Sequence, residues 1–568
     1  MNIIGIAGLA IDASSALIQN NSVVVAIEEE RLKRIKHASI IQSGGLPYES
    51  LNACLKFGNI SFKDVDHVGY FFQPYREFLS MSLFRLRRSY LSPSTFAYYQ
   101  TGYLEHLRKH IAVDKLLQSQ CKNKMKFHHF SHHLTHAASV YYPSPFEESA
   151  ILVIDAMSEF ESTTFYYAKG NHIKRLLKYN FPNSLGFLYA TMTDYLGFKS
   201  NNDEYKVMGL ASYGNPTYYD KLKKVININS NGEIKINYGF FSKYFRGREY
   251  FNEKFISEFG PKRLPGDEIN ERHTNIASSI QKILEESVMK MLIHLKKITG
   301  SKNICLSGGV ALNCKMNGKI LKEGPFENIF LQPAPHDAGC SIGSALLVKH
   351  NILQRKERES NLSPYLGLEF NNIEIKKTLE ESNIKYKYCE DISLETANKL
   401  SEGKLVAWFQ GRNEWGPRAL GSRSILADPT RKEMKNIINK KVKHREEFRP
   451  FAPSVTLEDA HKFFDIKIES PFMLFVVPVL DAVKEKIPSV VHVDGTARPQ
   501  TVNKKDNPLF HELLKNFEKI KGVPVLLNTS FNINKEPIVN SPRDALRCFF
   551  STGLDCLVMG NFLIDKKY

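Results

Sequence analysis

Apolar residues recur along this chain in short runs, each ended by glycine or by small polar residues. The first run, Ile3 to Leu9, leads into Asp12-Ala13-Ser14-Ser15; a second strand, an Asn20-Asn21 turn and the run Val23 to Ile27 follow. The same order returns at Ile151: a strand to Ile154, then Asp155-Ala156-Met157-Ser158, Thr163 to Ala168, a Gly170-Asn171 turn and another strand. Strand, small polar loop, strand, tight turn, strand is a hairpin-rich unit whose loop can approach a phosphate, and two copies predict two related subdomains. Further on, the apolar strand Asn303 to Leu306 runs into Ser307-Gly308-Gly309-Val310-Ala311-Leu312-Asn313. Glycines between a strand and a helix let backbone N–H groups reach an anion at the helix N-terminus; an ordinary tight turn is the plainer alternative. Ile329-Phe330-Leu331 leads into Pro333-Ala334-Pro335-His336-Asp337 and a small-residue helix, which puts Asp337 at a strand-to-helix turn. A charged stretch between His350 and Pro364 marks a linker. Beyond it Leu405 to Phe409, Phe475 to Pro478 and Val523 to Leu527 predict the strands of a second α/β domain. The predicted division is 1–353 and 365–568.

The sharpest chemical signal is a pair of histidines. His132 and His136 stand four residues apart, so on a helix both imidazoles lie on one face and can reach one ion. Asp155, at the end of the repeated strand, would add a carboxylate. Such a donor set is more oxygen-rich than a closed structural zinc site and suits an ion with open positions. A packed, hydrogen-bonded histidine pair is the alternative.

Length and composition narrow the class. A chain of 568 residues with 42% hydrophobic and 24% charged residues is a globular protein of two or more domains. No apolar stretch is long enough to span a bilayer, so no membrane partner is expected. The eight cysteines form no Cys-x-x-Cys pair, which suits reduced thiols and a cytoplasmic location. The formal charge of +17 fits anionic ligands, nucleic acid or a solvated basic surface. Basic residues concentrate at Arg85 to Arg88, among Phe84, Tyr90, Phe96, Tyr98 and Tyr99, and from Arg431 to Arg449.

In the second domain the basic residues hold ordered positions. Gly411 to Arg423 carries Arg412, Arg418 and Arg423 around glycine turns; Lys443, Arg445 and Arg449 close a mixed helix; Arg498 follows Asp494-Gly495-Thr496-Ala497; Asn528-Thr529-Ser530-Phe531-Asn532 adds amide and hydroxyl donors. Guanidinium forks suit phosphate and carbamate oxygens, so a phosphate-like ligand is expected, with surface ion pairing as the alternative.

Five motifs in order now carry a resemblance: His132-His133-Leu134-Thr135-His136-Ala137 with Tyr142-Pro143-Ser144-Pro145-Phe146, Glu204 to Ala211, Ser307 to Asn313, Gly416 to Gly421 and Asn528 to Asn532. Together they resemble the O-carbamoyltransferases of antibiotic and nodulation-factor biosynthesis. The resemblance implies an N-terminal actin-like ATPase domain, its two related subdomains flanking a ligand, and a C-terminal YrdC-like α/β domain. It implies that the C-terminal domain turns carbamoyl phosphate and ATP into carbamoyladenylate, and that the N-terminal domain passes the carbamoyl group to a hydroxyl-bearing small-molecule acceptor. Carried over by position, the metal ligands would be His132, His136, Asp155 and Asp337, holding Fe(II) or another divalent ion, with Mg-ATP as the nucleotide. Lys443, Arg449 and Arg498, with Arg418, would hold carbamoyl phosphate and nucleotide phosphates. Gly308, Gly309, Asn313, Lys206, Arg423, Asn528 and Ser530 would line the nucleotide sites.

Ile11 departs from the family, which usually has histidine before the first-loop aspartate, and Ala156 stands where glycine is common. Asp12 or another group would then act on the acceptor hydroxyl. A nucleotide or nucleic-acid acceptor stays open, as do a homodimer, a binding protein that has lost transfer, and a metal-dependent hydrolase; the last lacks a His-Glu-x-x-His glutamate. The aromatic, basic stretch from Tyr70 to Leu117 is the candidate for acceptor contacts, or else an amphipathic insertion.

Overall fold

The computed structural model describes residues 1–87, 93–120, 125–241, 250–360 and 362–566, and their side chains except at 84–87, 93–103 and 106. The basic and aromatic side chains expected between Phe84 and Tyr99 to make acceptor contacts therefore lie outside the described residues. The chain forms two compact units. One holds Met1–Val24 and Ser39–Leu362, the other Val25–Ala38 and Ser363–Tyr568.

The first unit is built on two mixed sheets. In one, β1 (Asn2–Ala7), β2 (Ser14–Gln19), β3 (Ser22–Glu28), β4 (His67–Tyr70) and β5 (Lys126–His129) lie in the order β3-β2-β1-β4-β5; the chain passes to the second unit within β3. In the other sheet the long hairpin strands β6 (Glu148–Ser158), β7 (Glu161–Lys169) and β8 (His172–Asn180) come first. A small separate hairpin of β9 (Ile226–Ile228) and β10 (Ile234–Ile236) intervenes in the chain before β11 (Asn303–Ser307) and β12 (Asn328–Phe330) complete that sheet, in the order β12-β11-β6-β7-β8. β1 pairs antiparallel with β2 and parallel with β4; β6 pairs antiparallel with β7 and parallel with β11. The duplication read from the apolar runs is thus a repeated topology. Each central strand is buried on both faces, as apolar residues at successive positions require.

The helix Gly339–Leu347 ties the copies together. All nine of its residues are buried, and it packs on β1 and on the helix His132–Tyr141. Small side chains permit the crossing: a Cβ on Gly343 would stand 2.0 Å from the Thr135 carbonyl oxygen. Backbone against backbone at this point sets the separation of the two helices.

The charged stretch expected as a linker is held down through Glu359. Arg358 lies over the Tyr141 ring and donates to the carbonyls of Tyr141 at 2.6 Å and Phe146 at 2.7 Å; Glu359 accepts from the Val23 N–H at 2.9 Å. Long charged side chains with buried carbonyl partners make an anchored strap of a segment whose composition suggests flexibility.

The second unit has an eight-stranded mixed sheet. Its strands are β13 (Lys387–Tyr388), β14 (Val406–Phe409), β15 (Arg423–Ala427), β16 (Ala452–Thr456), β19 (Gln500–Val502), β20 (Val525–Ser530), β21 (Cys556–Met559) and β22 (Phe562–Asp565). The strand expected at Phe475 to Pro478 shrinks to β17 (Val477–Pro478), paired outside that sheet with β18 (Thr496–Ala497). Met473, in the left-handed region at φ 54°, bends the chain just ahead of it. Within this unit Arg31, 2% exposed, pairs with Glu28 at 2.7 Å and donates to the Gly416 carbonyl at 2.6 Å, so Val25–Ala38 buttresses the glycine turn before Arg418.

Candidate functional site

Four donors converge at the centre of the first unit. The helix His132–Tyr141 presents both histidines on one face, and nine of its ten residues are buried. Asp155 arrives because β6 loses register with β7 between Ile154 and Ser158; the bulged residues turn out of the ladder and free the carboxylate. Asp337 comes from the turn that opens the helix Gly339–Leu347. The His132 Nε2 atom is 3.0 Å from His136 Nε2, 3.3 Å from Asp155 Oδ2 and 3.6 Å from Asp337 Oδ1. His136 Nε2 is 3.7 Å from Asp155 Oδ2 and 3.6 Å from Asp337 Oδ1.

These separations fit a shared cation. Donors held about 2.1 Å from one ion stand roughly 3.0–3.5 Å apart at right-angled to tetrahedral positions. The two imidazole nitrogens, 3.0 Å apart, can share a proton as a hydrogen bond or both turn their lone pairs to one cation, and the two carboxylates would supply its counter-charge. Burial opposes charge on every member, yet the set holds its charges. His132 is pulled down by burial but raised overall to about 10 by Cys340, Asp337 and Asp155; His136 is raised well above the imidazole range by Cys340, Asp155 and Asp337. Burial opposes ionisation of the two carboxylates, but the histidines hold Asp155 well below its usual range and Asp337 at about 2. A bound divalent ion would replace those protons. With 24% of its side chain exposed, Asp337 leaves the cluster open on one side, which a closed structural site would not be.

Neighbours fix the donors. Ser307 Oγ lies 3.3 Å from His136 Nδ1, and the Ala156 N–H donates to Asp155 Oδ1 at 2.8 Å. Gly308 has φ +93°, and a Cβ there would sit 2.2 Å from the Ile154 carbonyl oxygen; a Cβ on Gly309 would meet Asp155 Oδ1 at 3.2 Å. The Gly-Gly pair is therefore required first by the end of β6, and the Gly308 N–H is already spent on the Pro335 carbonyl at 2.8 Å. Asp12, at φ 53° in the β1–β2 loop, lies with its Oδ2 3.9 Å from His336 Nε2, and Ser14 Oγ ties the loop to the Ala338 carbonyl at 2.8 Å. The first loop thus abuts the turn that carries Asp337. Asn313 caps the helix Cys314–Glu323 and is locked to Gln281 in both directions, at 2.9 and 3.0 Å; Lys206 pairs with Asp203 at 3.2 Å.

Sequence reasoning missed three neighbours. Cys340 joins His132 and His136 in a second group whose ligand atoms all lie within 4.8 Å of one another. Glu159, pushed up to about 7 by burial, accepts the His132 N–H at 3.1 Å and the Gln73 N–H at 2.9 Å. His336 faces Asp12. The one-turn spacing of Asp337 and Cys340 was the available signal.

In the second unit the expected anion ligands divide. Arg498 is half-buried and has no hydrogen-bond or ion-pair partner among the described residues, the state of a guanidinium open to a ligand. Arg449 pairs with Glu446 at 3.5 Å, and Arg418 is half-buried. Arg423 is a correction: fully buried over the Phe409 ring, it gives its terminal N–H groups to the carbonyls of Gln410, Ser422, Leu368 and Gly411 at 2.7–3.3 Å, leaving none for nucleotide. Asn528 is another, its amide spent on Ala419, Ser454 and Gln500 between β16 and β20. Lys443 is buried, which drives its ammonium well below the lysine range, and its protons go to Ser530 and Asn532 oxygens. Lys443 and Ser530 thus brace the 530–532 loop against each other.

Fold and site define a mixed α/β protein with a His/Asp cation-type cluster in one unit and a basic, glycine-turned unit beside it in sequence. Comparison with known families makes this specific: residues 2–346 match the carbamoyltransferase N-terminus and residues 397–566 the carbamoyltransferase C-terminus, so the chain belongs to the carbamoyltransferase family and is an enzyme of that type. It is 38% identical to nodulation protein NolNO of Sinorhizobium fredii over 98% of this chain and 79% of that protein. It is 38% identical to the uncharacterized protein sll1178 of Synechocystis over 100% of this chain and 97% of that one. A 3'-hydroxymethylcephem-O-carbamoyltransferase of Amycolatopsis lactamdurans is 35% identical over 45% of this chain and 47% of its own length. Among the described residues no helix is long and apolar enough to cross a membrane.

Proposed function

We propose that this carbamoyltransferase activates carbamoyl phosphate with ATP in its second unit and transfers the carbamoyl group in its first to a hydroxyl of a small-molecule acceptor. The observation that carries the reading is the convergence of His132, His136, Asp155 and Asp337 within 4.8 Å, in the unit that matches the N-terminal family model. The repeated order of the two sheets supports an actin-like fold for that unit; the YrdC-like assignment of the other rests on resemblance.

The chemistry balances in three steps. Water releases phosphate from carbamoyl phosphate; a carbamate oxygen displaces pyrophosphate from ATP to give carbamoyladenylate; the acceptor oxygen attacks the carbamoyl carbon, AMP leaves and the hydroxyl proton passes to a base. Arg498, Arg449 and Arg418 bind the phosphate oxygens and offset charge in the first two steps. A divalent ion, Fe(II) by resemblance, would polarise the carbamoyl carbonyl when bound to the four donors. Ser307 orients His136, and Asp12 stands beside the Asp337 turn, where it can receive the acceptor proton. The relative named a 3'-hydroxymethylcephem-O-carbamoyltransferase agrees with a hydroxyl acceptor.

The test is to incubate the protein with carbamoyl phosphate, Mg-ATP and ferrous iron without acceptor and follow carbamoyladenylate and pyrophosphate by mass spectrometry. Formation that Arg498→Ala abolishes supports the reading. No adenylate, with ATP binding demonstrated, overturns it.

A further inference from the structure

The two histidines are shared between two ligand groups. Asp155 and Asp337 complete one. Cys340, fully buried at the second position of the helix Gly339–Leu347 and three residues after Asp337, completes the other. Residues three apart on a helix share a face, so the turn that aims Asp337 at the histidines aims Cys340 at them too. The Cys340 sulfur and the two ring nitrogens lie within 4.8 Å of one another. Nitrogen at about 2.1 Å and sulfur at about 2.3 Å from one ion stand roughly 3.1–4.4 Å apart, from right-angled to opposite positions. The grouping of the three donors is compatible with one shared cation.

Other roles for this thiol fit poorly. It is a free cysteine, fully buried, so it meets neither the exposure of a reactive or redox-sensing thiol nor a disulfide partner. A small hydrophobe would pack as well in an apolar helix, but this sulfur lies within 4.8 Å of two nitrogen ligands. The wall beyond is apolar: the Phe71 and Phe72 rings stand edge-on to His132, at 5.4 and 6.2 Å between ring centres. An apolar wall raises the stake on every polar group facing the ion.

We propose that Cys340 is a metal ligand of this enzyme, its thiolate joining His132 and His136 on the ion, so that the site selects a thiophilic divalent cation over magnesium. The proposal rests on the reading of the His/Asp cluster as the metal centre. Cys340 shares a group with the two histidines and with neither carboxylate, so a bound ion would draw the thiolate and the carboxylates toward it from their present positions, and a carboxylate left at a distance would leave a position for substrate. As the metal–sulfur bond forms, the S–H bond breaks and its proton passes to solvent. A set of two imidazoles, a thiolate and a carboxylate suits zinc, cobalt or ferrous iron, whereas magnesium prefers oxygen and water.

The test uses cobalt(II) as a spectroscopic probe on the full chain, stripped of metal by chelation. One cobalt per chain should bind and give the intense near-ultraviolet thiolate-to-metal charge-transfer band beside weaker visible bands. X-ray absorption should find one sulfur at about 2.3 Å. Cys340→Ser and Cys340→Ala should both lose the charge-transfer band, keep visible bands and weaken cobalt affinity about 10–100-fold. One cobalt bound without charge-transfer band or sulfur scatterer overturns the proposal and leaves the His/Asp centre standing. No cobalt bound by the parent chain, or binding unaffected by His132→Ala, overturns the metal centre and the proposal with it.

Discussion

Single arginines in this enzyme differ by what their forks already hold. Arg423 is fully buried and satisfies four backbone carbonyls, two of them on the buried residues Gln410 and Ser422, so Arg423→Met should destabilise the second unit by about 3 kcal/mol while surviving folded protein still forms adenylate. A depressed thermal midpoint with unchanged turnover per folded molecule would bear that out. Arg498 holds no partner among the described residues. Arg498→Ala should leave the midpoint within about 0.5 kcal/mol of the parent and abolish adenylate formation, as read by unfolding and pyrophosphate release together. From sequence the two arginines were indistinguishable, both following glycine turns. Only the carbonyls brought around Arg423 by β14 and β15 tell them apart. At the metal centre, Ser307→Ala should lower metal affinity about tenfold, measured by equilibrium dialysis, because His136 loses the partner that orients its ring.

Elements meet in this molecule where side chains are absent. The helix Gly339–Leu347 and the helix His132–Tyr141 touch through Gly343 and the Thr135 carbonyl, which sets how near the turn carrying Asp337 comes to the helix carrying the two histidines. A Cβ 2.0 Å from a carbonyl oxygen cannot be relieved by rotating a side chain. Gly343→Ala should therefore lower thermal stability and metal affinity together, whereas His136→Ala should lose metal while keeping the fold. Parallel calorimetric scans and metal titrations separate the two patterns. The i, i+4 histidines were legible because helical geometry alone puts them on one face. The bulge that turns Asp155 out of β6 was not, since strand pairing is decided by the partner strand.

The whole molecule carries buried histidines away from the centre that make its stability depend on pH. His350 is 1% exposed, donates from Nδ1 to the Arg355 carbonyl at 2.7 Å and is lowered by burial to about 4. A depressed pKa means that the unfolded chain takes up a proton below about 6.5 that the folded chain refuses until about 4. The contribution is fully present above pH 6.5, falls by up to about 3 kcal/mol as pH drops to 4, and levels off below. His350→Asn, which keeps an N–H donor and does not titrate, should flatten part of that loss in denaturation midpoints taken between pH 7 and 4. By itself the sequence determined the duplicated strand pattern, the metal-capable histidine pair and the family, because each is written in local spacing. Tertiary structure alone decided that Val25–Ala38 belongs with the second unit, that Arg423 and Asn528 are structural, and that Cys340 faces the histidines. Those facts depend on which distant carbonyls and rings surround a side chain, and no local spacing encodes that.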